Sequence, residues 1–184
     1  MSTPTADVSV RVAWSADAEG IASVQVRAWQ VAYADVLPAE VLESLDTGDF
    51  AAAWALALAT PKDARNRVLV ALERVSIRGF AVTGPSSDPD VDPLAAGEIA
   101  ELAVDPAATR RGHGSRLLQA GADTLRSDRF QQATMWVNST DDRCRSFVTA
   151  AGWAPDGAAR ELDLHGDGSV RVKQVRLHTD LRDD

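Results

Sequence analysis

The 184-residue chain has one cysteine, Cys144, and one tyrosine, Tyr33. A single cysteine closes no intramolecular disulfide and anchors no zinc cluster, and the three histidines are scattered. Neither a disulfide framework nor a metal centre is therefore expected, and a reducing, cytoplasmic setting is. Positive charge is also scarce: 19 Lys and Arg stand against 27 Asp and Glu, a net −8. A duplex-binding protein carries the opposite sign, so nucleic acid is not an expected partner. Long apolar runs are missing too. The longest is Phe50 to Ala59, ten residues and mostly alanine, where a membrane span needs about 20. Met1 to Trp14 shows neither a basic leader nor an apolar stretch of signal-peptide kind.

What remains is ordinary globular composition, 45% hydrophobic and 25% charged, which excludes a disordered chain. Small polar residues at 1–7 predict a flexible N-terminus, and 8–184 reads as a single domain. Val8 to Ala13 alternates like a strand. Ser15 to Asp17 caps a helix running to about Tyr33. On it Ile21, Val24, Ala28, Val31 and Ala32 form one stripe, and Val26, Trp29 and Tyr33 a second beside it. That arc is wider than one core face needs, so acceptor, the 84–96 loop or a partner chain is expected to cover the Trp29–Tyr33 edge. Pro38 opens a short helix to Leu45, and Asp49 to Ala59 is a third, with Phe50, Trp54 and Leu58 four apart.

Two strands, Val68 to Leu72 and Val75 to Thr83, flank a turn at Glu73 and Arg74. A proline- and aspartate-rich loop, 84–96, leads to a strand from Gly97 to Val104. Asp105 and Pro106 end it. A helix from Gly112 to Leu125 has Gly114, Leu117, Leu118, Gly121 and Leu125 on one face, the glycines allowing close approach to a sheet. Ala133 to Val137 is a strand. The next helix starts at Thr140 to Asp142, buries Cys144, Phe147, Val148 and Ala151, and ends at Gly152 as a C′ residue. Arg160 to Leu164 and Val172 to His178 are the last strands, around Gly166 to Gly168. No internal repeat is evident. The order predicts a mixed sheet with helices on its faces, an α/β arrangement.

The chemistry-bearing stretch is Gly97 to Leu118, where a strand runs into a basic, glycine-bearing turn that opens a helix. Unpaired amides and the dipole at a helix N-terminus attract anions. Gly112 and Gly114 let a phosphate approach the backbone, and Arg110, Arg111 and Arg116 add charge. A P-loop would need a Lys after its second glycine, and a dinucleotide fingerprint would need glycine where Leu117 stands. The pattern Leu102-x-Val104-x-Pro106-x-x-Thr109-x-x-Gly112-x-Gly114 instead resembles motif A of the GNAT acetyltransferase superfamily. Arg145 to Trp153, with Phe147 and Gly152, is similar to a further block of that family. Asn138 and Ala28 to Pro38 add to the resemblance, which spans about Val8 to Leu181.

The resemblance implies a GNAT-like α/β (α+β) fold: a mixed, mostly antiparallel central sheet of about seven strands with helices on both faces. It implies acetyl-CoA as co-substrate, with no metal, and acetyl transfer to a primary amine on a small molecule or peptide. A homodimer is common in such families. Coenzyme contacts are expected from Leu102, Ala103, Val104, Thr109, Arg110, Arg111, Gly112, His113, Gly114, Ser115, Asn138 and Phe147. Glu98 or Glu101 supplies the base: three apart on a strand they face opposite ways, so at least one lies in a cleft, and the resemblance implies Glu98, at whose position family members commonly carry a glutamate or histidine base. Trp29 and Tyr33 are expected at the acceptor. Two residues depart from the family pattern. Thr109 replaces a Gln or Arg, for which Arg110 and Arg111 compensate. Val148 stands where many members have the tyrosine that protonates the departing thiolate. That substitution keeps a second role open, a non-catalytic acyl-CoA-binding sensor or interaction module. Cys144 is expected to be structural, and His165 and His178 to be surface or strand residues.

Overall fold

β1 (Val8–Val12) pairs antiparallel with β2 (Arg67–Glu73), and β2 pairs antiparallel with β3 (Ser76–Pro85). The turn between β2 and β3 places Arg74 at a φ of 57°, a left-handed conformation. This is a computed structural model, and it describes residues 8–164 and 166–182. The expectations for residues 1–7 and for His165 lie outside the described residues. Contacts divide the chain into two compact units. One holds the chain up to Thr83 with Glu101–Gly121; the other holds Gly84–Ala100 with the chain from Ala122 onward.

In the first unit a single 3-10 turn, Ser15–Asp17, leads into α1 (Ala18–Ala32). The Asp17 carboxylate accepts from the Trp14 amide and from Arg11, which fixes the helix entry. Ile21 and Val24 of α1 bury themselves against Val70, Leu72, Phe80 and Ala103. α2 (Ala39–Glu43) follows Pro38 as expected. α3 (Thr47–Ala59) starts two residues before Asp49, because Asp46 accepts from the amides of Gly48 and Asp49 and so caps the helix earlier. Trp54 of α3 packs edge-on against Phe80, with ring centroids 5.3 Å apart.

β4 (Ala96–Val104), β5 (Gln132–Asn138), β6 (Ala154–Asp163) and β7 (Arg171–Asp180) complete a seven-stranded sheet in the order β1-β2-β3-β4-β5-β7-β6. β4 and β5 pair in parallel over Ala96–Glu98 and Gln132–Thr134. β7 pairs antiparallel with both β5 and β6. In the β6–β7 connection the amides of Gly166 and Gly168 donate to the Asp163 carboxylate, and both glycines have positive φ.

α4 (His113–Ser127) and α5 (Asp142–Ala150) supply the remaining helices. α1 and α4 lie on opposite faces of β3. Phe80 points into the α1 core, and a Cβ on its neighbour Gly79 would come within 2.9 Å of Leu117 on α4. A Cβ on Gly97 would come within 2.6 Å of Leu125. The close approach of helix to sheet is thus built into the strand glycines Gly79 and Gly97.

α5 differs from expectation. Val148 is fully buried, Cys144 and Phe147 are half-buried, and Ala151 is exposed. The helix ends at Ala150, so Ala151 is already part of the turn that Gly152 closes at a φ of 94°.

In β4 a Cβ on Gly97 would meet Leu125 of α4, and Ala103 packs with Ile21 and Val24 of α1.

Candidate active site

The turn between β4 and α4 is held at its base by Asp105. Its buried carboxylate accepts from the Ala107 amide at 3.1 Å and pairs with Arg27 at 2.8 Å. Burial works against its charge, but Arg27, the Ala107 amide and Arg78 outweigh that, and the carboxyl stays below its ordinary range. After a 3-10 turn at Pro106–Ala108 the chain is extended at Thr109, then left-handed at Arg110 (φ 63°) and at Gly112 (φ 84°). A Cβ on Gly112 would lie 2.7 Å from the Arg116 guanidinium, which folds over this glycine. A side chain here therefore meets both an unfavourable φ and an occupied space.

α4 begins at His113. The first amides of any helix have no intrahelical acceptor, and they point out of its N-terminus. Thr109, Arg110, Arg111, Ser115 and Arg116 are exposed, and Gly112 and Gly114 half-buried. Arg111 pairs with Glu73 at 3.3 Å. Among the described residues Arg110 and Arg116 have no ion-pair partner within 4 Å. The imidazole of His113 is buried, and neither ring nitrogen has a partner among the described residues. Burial lowers its pKa, Glu73 opposes this, and the nearby arginines add to it. The side chain thus faces inward, and what His113 offers the turn is its amide.

In the same unit the structure brings Glu101, Trp29 and Tyr33 together. Trp29 Nε1 donates to Glu101 Oε1 at 3.1 Å, and Gln25 Nε2 donates to both Glu101 oxygens at 3.1 Å. Gln25 Oε1 accepts from Trp54 Nε1 at 2.7 Å. Burial pushes the Glu101 carboxyl above its ordinary value, while the Trp29 and Gln25 hydrogen bonds hold it back. The cover over the Trp29 edge is α3: the Trp29 ring stacks edge-on with Tyr33 at 6.0 Å and with Phe50 at 5.4 Å. Both Trp29 and Tyr33 remain half-buried. Leu102, Ala103 and Val104 form the end of β4, just before the turn.

The other unit holds Glu98, Asn138 and Phe147. Glu98 is half-buried and accepts from Ser87 Oγ at 3.3 Å. Asn138 Oδ1, at the end of β5, accepts from Gln174 Nε2 at 3.0 Å. Cys144 is pushed up to about 11 by burial and by Asp141, so its thiol stays neutral and is no nucleophile. Tyr33 is the chain's one tyrosine, so the α5 block has no phenol to donate. Among the described residues no group of His, Cys, Asp and Glu is arranged to hold a metal ion, and no helix is long and apolar enough to cross a membrane.

Residue spacing did not point to Gln25, Trp54, Trp136 or Arg160. Gln25 carried a signal: a polar residue between Val24 and Val26 on a buried stripe needs a polar partner. Arg160 and Trp136 meet only through strand register, which no single strand's pattern reveals.

A mixed sheet whose β4 feeds a basic, glycine-bearing turn at a helix start has the chemistry to receive an anionic coenzyme. The acetyltransferase (GNAT) family model matches residues 28–153, and the chain belongs to that family. The N-acetyl transfer from acetyl-CoA that the resemblance implied is this family's activity. An uncharacterized N-acetyltransferase of Bacillus subtilis, YuaI, is 28% identical over 92% of this chain and 91% of its own. An N-acetyltransferase of Staphylococcus aureus Mu50 shares the fold, with a TM-score of 0.72, 16% identity, and coverage of 96% of this chain and 99% of that one. The PaiA N-acetyltransferase of Thermoplasma acidophilum, solved in complex with coenzyme A, has a TM-score of 0.66 at 16% identity, covering 91% of this chain and 98% of its own.

Proposed function

We propose that the 109–115 turn holds the pyrophosphate of acetyl-CoA and that Glu98 takes the proton from a primary amine as it attacks. The left-handed turn at Arg110 and Gly112 carries this proposal, because it presents the α4 amides beside two arginines that have no ion pair among the described residues. Acetyl-CoA supplies an already activated thioester, so the chain's task is mainly alignment. Backbone donors near Leu102 and Val104 receive the thioester oxygen; one such donor is worth roughly 3–4 kcal/mol to a developing oxyanion. The amine arrives protonated, since its pKa is near 10. Its proton passes to Glu98, directly or through one water. The C–N bond forms, the C–S bond breaks, the nitrogen sheds its second proton to solvent, and the thiolate takes a proton from solvent. Val148 offers none, and a thiol pKa of about 8.5 makes the thiolate an adequate leaving group.

Thr109, Ser115, Asn138 and Phe147 complete the coenzyme contacts in this scheme, and Trp29 and Tyr33 line the approach of the amine. The lone Cys144, with its neutral thiol, favours a reducing cytoplasmic setting. A homodimer fits the scheme without being required by it.

Gly112→Glu tests the turn. It puts a bulky anion where the pyrophosphate sits and displaces Arg116. Calorimetry should show acetyl-CoA affinity falling about a hundredfold or more, while the thermal melt stays cooperative. An unchanged affinity would reduce the turn to a packing feature.

A further inference from the structure

One face of β5, β7 and β6 carries charged side chains that the transfer scheme leaves unused. Trp136 pairs across from Arg176, Asn138 from Gln174, and Gln174 from Arg160. Residues directly opposite in an antiparallel ladder share a face. Glu98 belongs beside them, since its β4 position is level with Thr134, two residues before Trp136.

The two arginines of this face are in different states. Arg176 is saturated: it pairs with Asp88 at 2.7 Å and with Asp156 at 2.6 Å, and its side chain is 11% exposed. Arg160 is held but not neutralised. Its Nε donates to Gln174 Oε1 at 2.8 Å, and its guanidinium lies 4.4 Å from the centroid of the Trp136 ring. Gln174 is fixed in turn by Asn138. Among the described residues no carboxylate lies within 4 Å of Arg160, and its two Nη groups donate to none of them. Glu98 and Asp88 both act on Arg160 through their charge, yet neither forms an ion pair with it among the described residues. Among those residues Glu98 has the Ser87 hydroxyl as its hydrogen-bond partner. A carboxylate and a guanidinium, neither of them in an ion pair among the described residues, thus share a face.

We propose that Glu98 and Arg160 recognise a zwitterionic acceptor, an amine with a carboxylate a few bonds away, as in a free amino acid. The inference rests on the acetyl-transfer scheme and on Glu98 as its base. The ammonium meets Glu98 and the carboxylate meets the Nη fork of Arg160. A guanidinium suits this role because its fork matches a carboxylate bidentately. Trp136 and Gln174 already hold the fork, so little side-chain freedom is lost on binding. An amine without the carboxylate brings its ammonium toward a guanidinium that no ion pair among the described residues offsets, which selects against it. A peptide N-terminus has an amide carbonyl where this site expects a carboxylate. During transfer the carboxylate stays on Arg160; the ammonium loses one proton to Glu98, its nitrogen bonds the acetyl carbon as the C–S bond breaks and sheds its second proton to solvent, and the coenzyme A thiolate takes a proton from solvent.

The experiment uses the full chain, acetyl-CoA and a panel of L-amino acids, each paired with its decarboxylated amine, with thiol release as the readout. The wild type should prefer the amino acid of a productive pair by about tenfold or more in kcat/KM. Arg160→Met should remove that preference, with acetyl-CoA affinity and the thermal melt near wild type. Arg160→Glu should turn the preference toward the amine. If Arg160→Met fails to fold, Arg160→Lys decides: it keeps the charge but not the fork, so the preference should weaken. Equal use of both members by the wild type, or a preference that survives in Arg160→Met and Arg160→Lys, overturns the inference and leaves acetyl transfer standing. Acetyl-CoA binding without acetylation of any member overturns it too. Failure to bind acetyl-CoA overturns the transfer scheme itself.

Discussion

Glu98 and Glu101 lie on one strand, but they belong to two kinds of surroundings. Around Glu101 the polar groups form a closed chain: Trp54 donates to Gln25, and Gln25 and Trp29 donate to the carboxylate. Every polar atom of the chain has its partner, and the result ties α1 and α3 to β4. Around Glu98 the groups are left open. Its carboxylate has one long hydrogen bond among the described residues, and Arg160, which it shares a face with, has no ion pair among them. A saturated network orders a fold, whereas an unsaturated one has capacity for a ligand. A base needs a lone pair free to take a proton, and Glu98 retains one. The Glu101 oxygens already face three donor contacts.

Replacing the two glutamates in turn gives the largest expected contrast. Glu98→Gln keeps shape and one acceptor oxygen but loses basicity, and kcat should fall about 10²- to 10⁴-fold. Acetyl-CoA affinity by calorimetry should barely move, and the acidic limb of the pH–rate profile should flatten. A larger loss in Glu101→Gln would swap the roles of the two carboxylates. The two arginines give the next contrast, in stability. Arg176→Met strands Asp88, whose side chain is 4% exposed, and breaking such a buried pair costs about 3–5 kcal/mol. Arg160→Met strands no charge and should cost about 1 kcal/mol or less. Urea unfolding of both variants measures the difference. Equal losses would mean that Arg160 is as structural as Arg176.

The elements were legible because caps and breakers are local. Pro38, Asp105 with Pro106, and Gly152 each stop or start a segment through their own backbone chemistry. The turn was legible for the same reason: Gly112 and its arginines are neighbours in sequence. Other features depend on contacts that sequence spacing does not carry. Phe50 covers Trp29 because α3 packs on α1, a pairing that neither helix announces alone. Arg160 meets Trp136 only after β6, β7 and β5 have aligned. Gln25 lay between these cases. Its place on an apolar stripe signalled a buried polar contact, but not that Glu101 and Trp54 would supply it.

The smallest expected effect concerns Glu101, and its sign is informative. Burial raises the Glu101 carboxyl pKa from the ordinary 4.5, against the pull of Trp29 and Gln25. The folded state therefore binds this proton more tightly than the unfolded chain. Below the ordinary value both states hold the proton, and the charged form's burial cost is absent. As pH rises from there through the raised value, the folded state loses stability relative to the unfolded one. Glu101→Gln removes the titration. It also turns an amide N–H₂ toward Trp29 Nε1 or Gln25 Nε2, both donors, and Gln25 cannot flip because its oxygen serves Trp54. One donor left without an acceptor costs about 1–3 kcal/mol, partly offset by the removed charge. The net change at neutral pH should be about 1 kcal/mol. Urea unfolding at steps from neutral pH to 4.5 should show wild type gaining on the variant as pH falls. A gap that stays flat across that window would mean that Glu101 titrates alike in both states and that its burial carries no electrostatic cost.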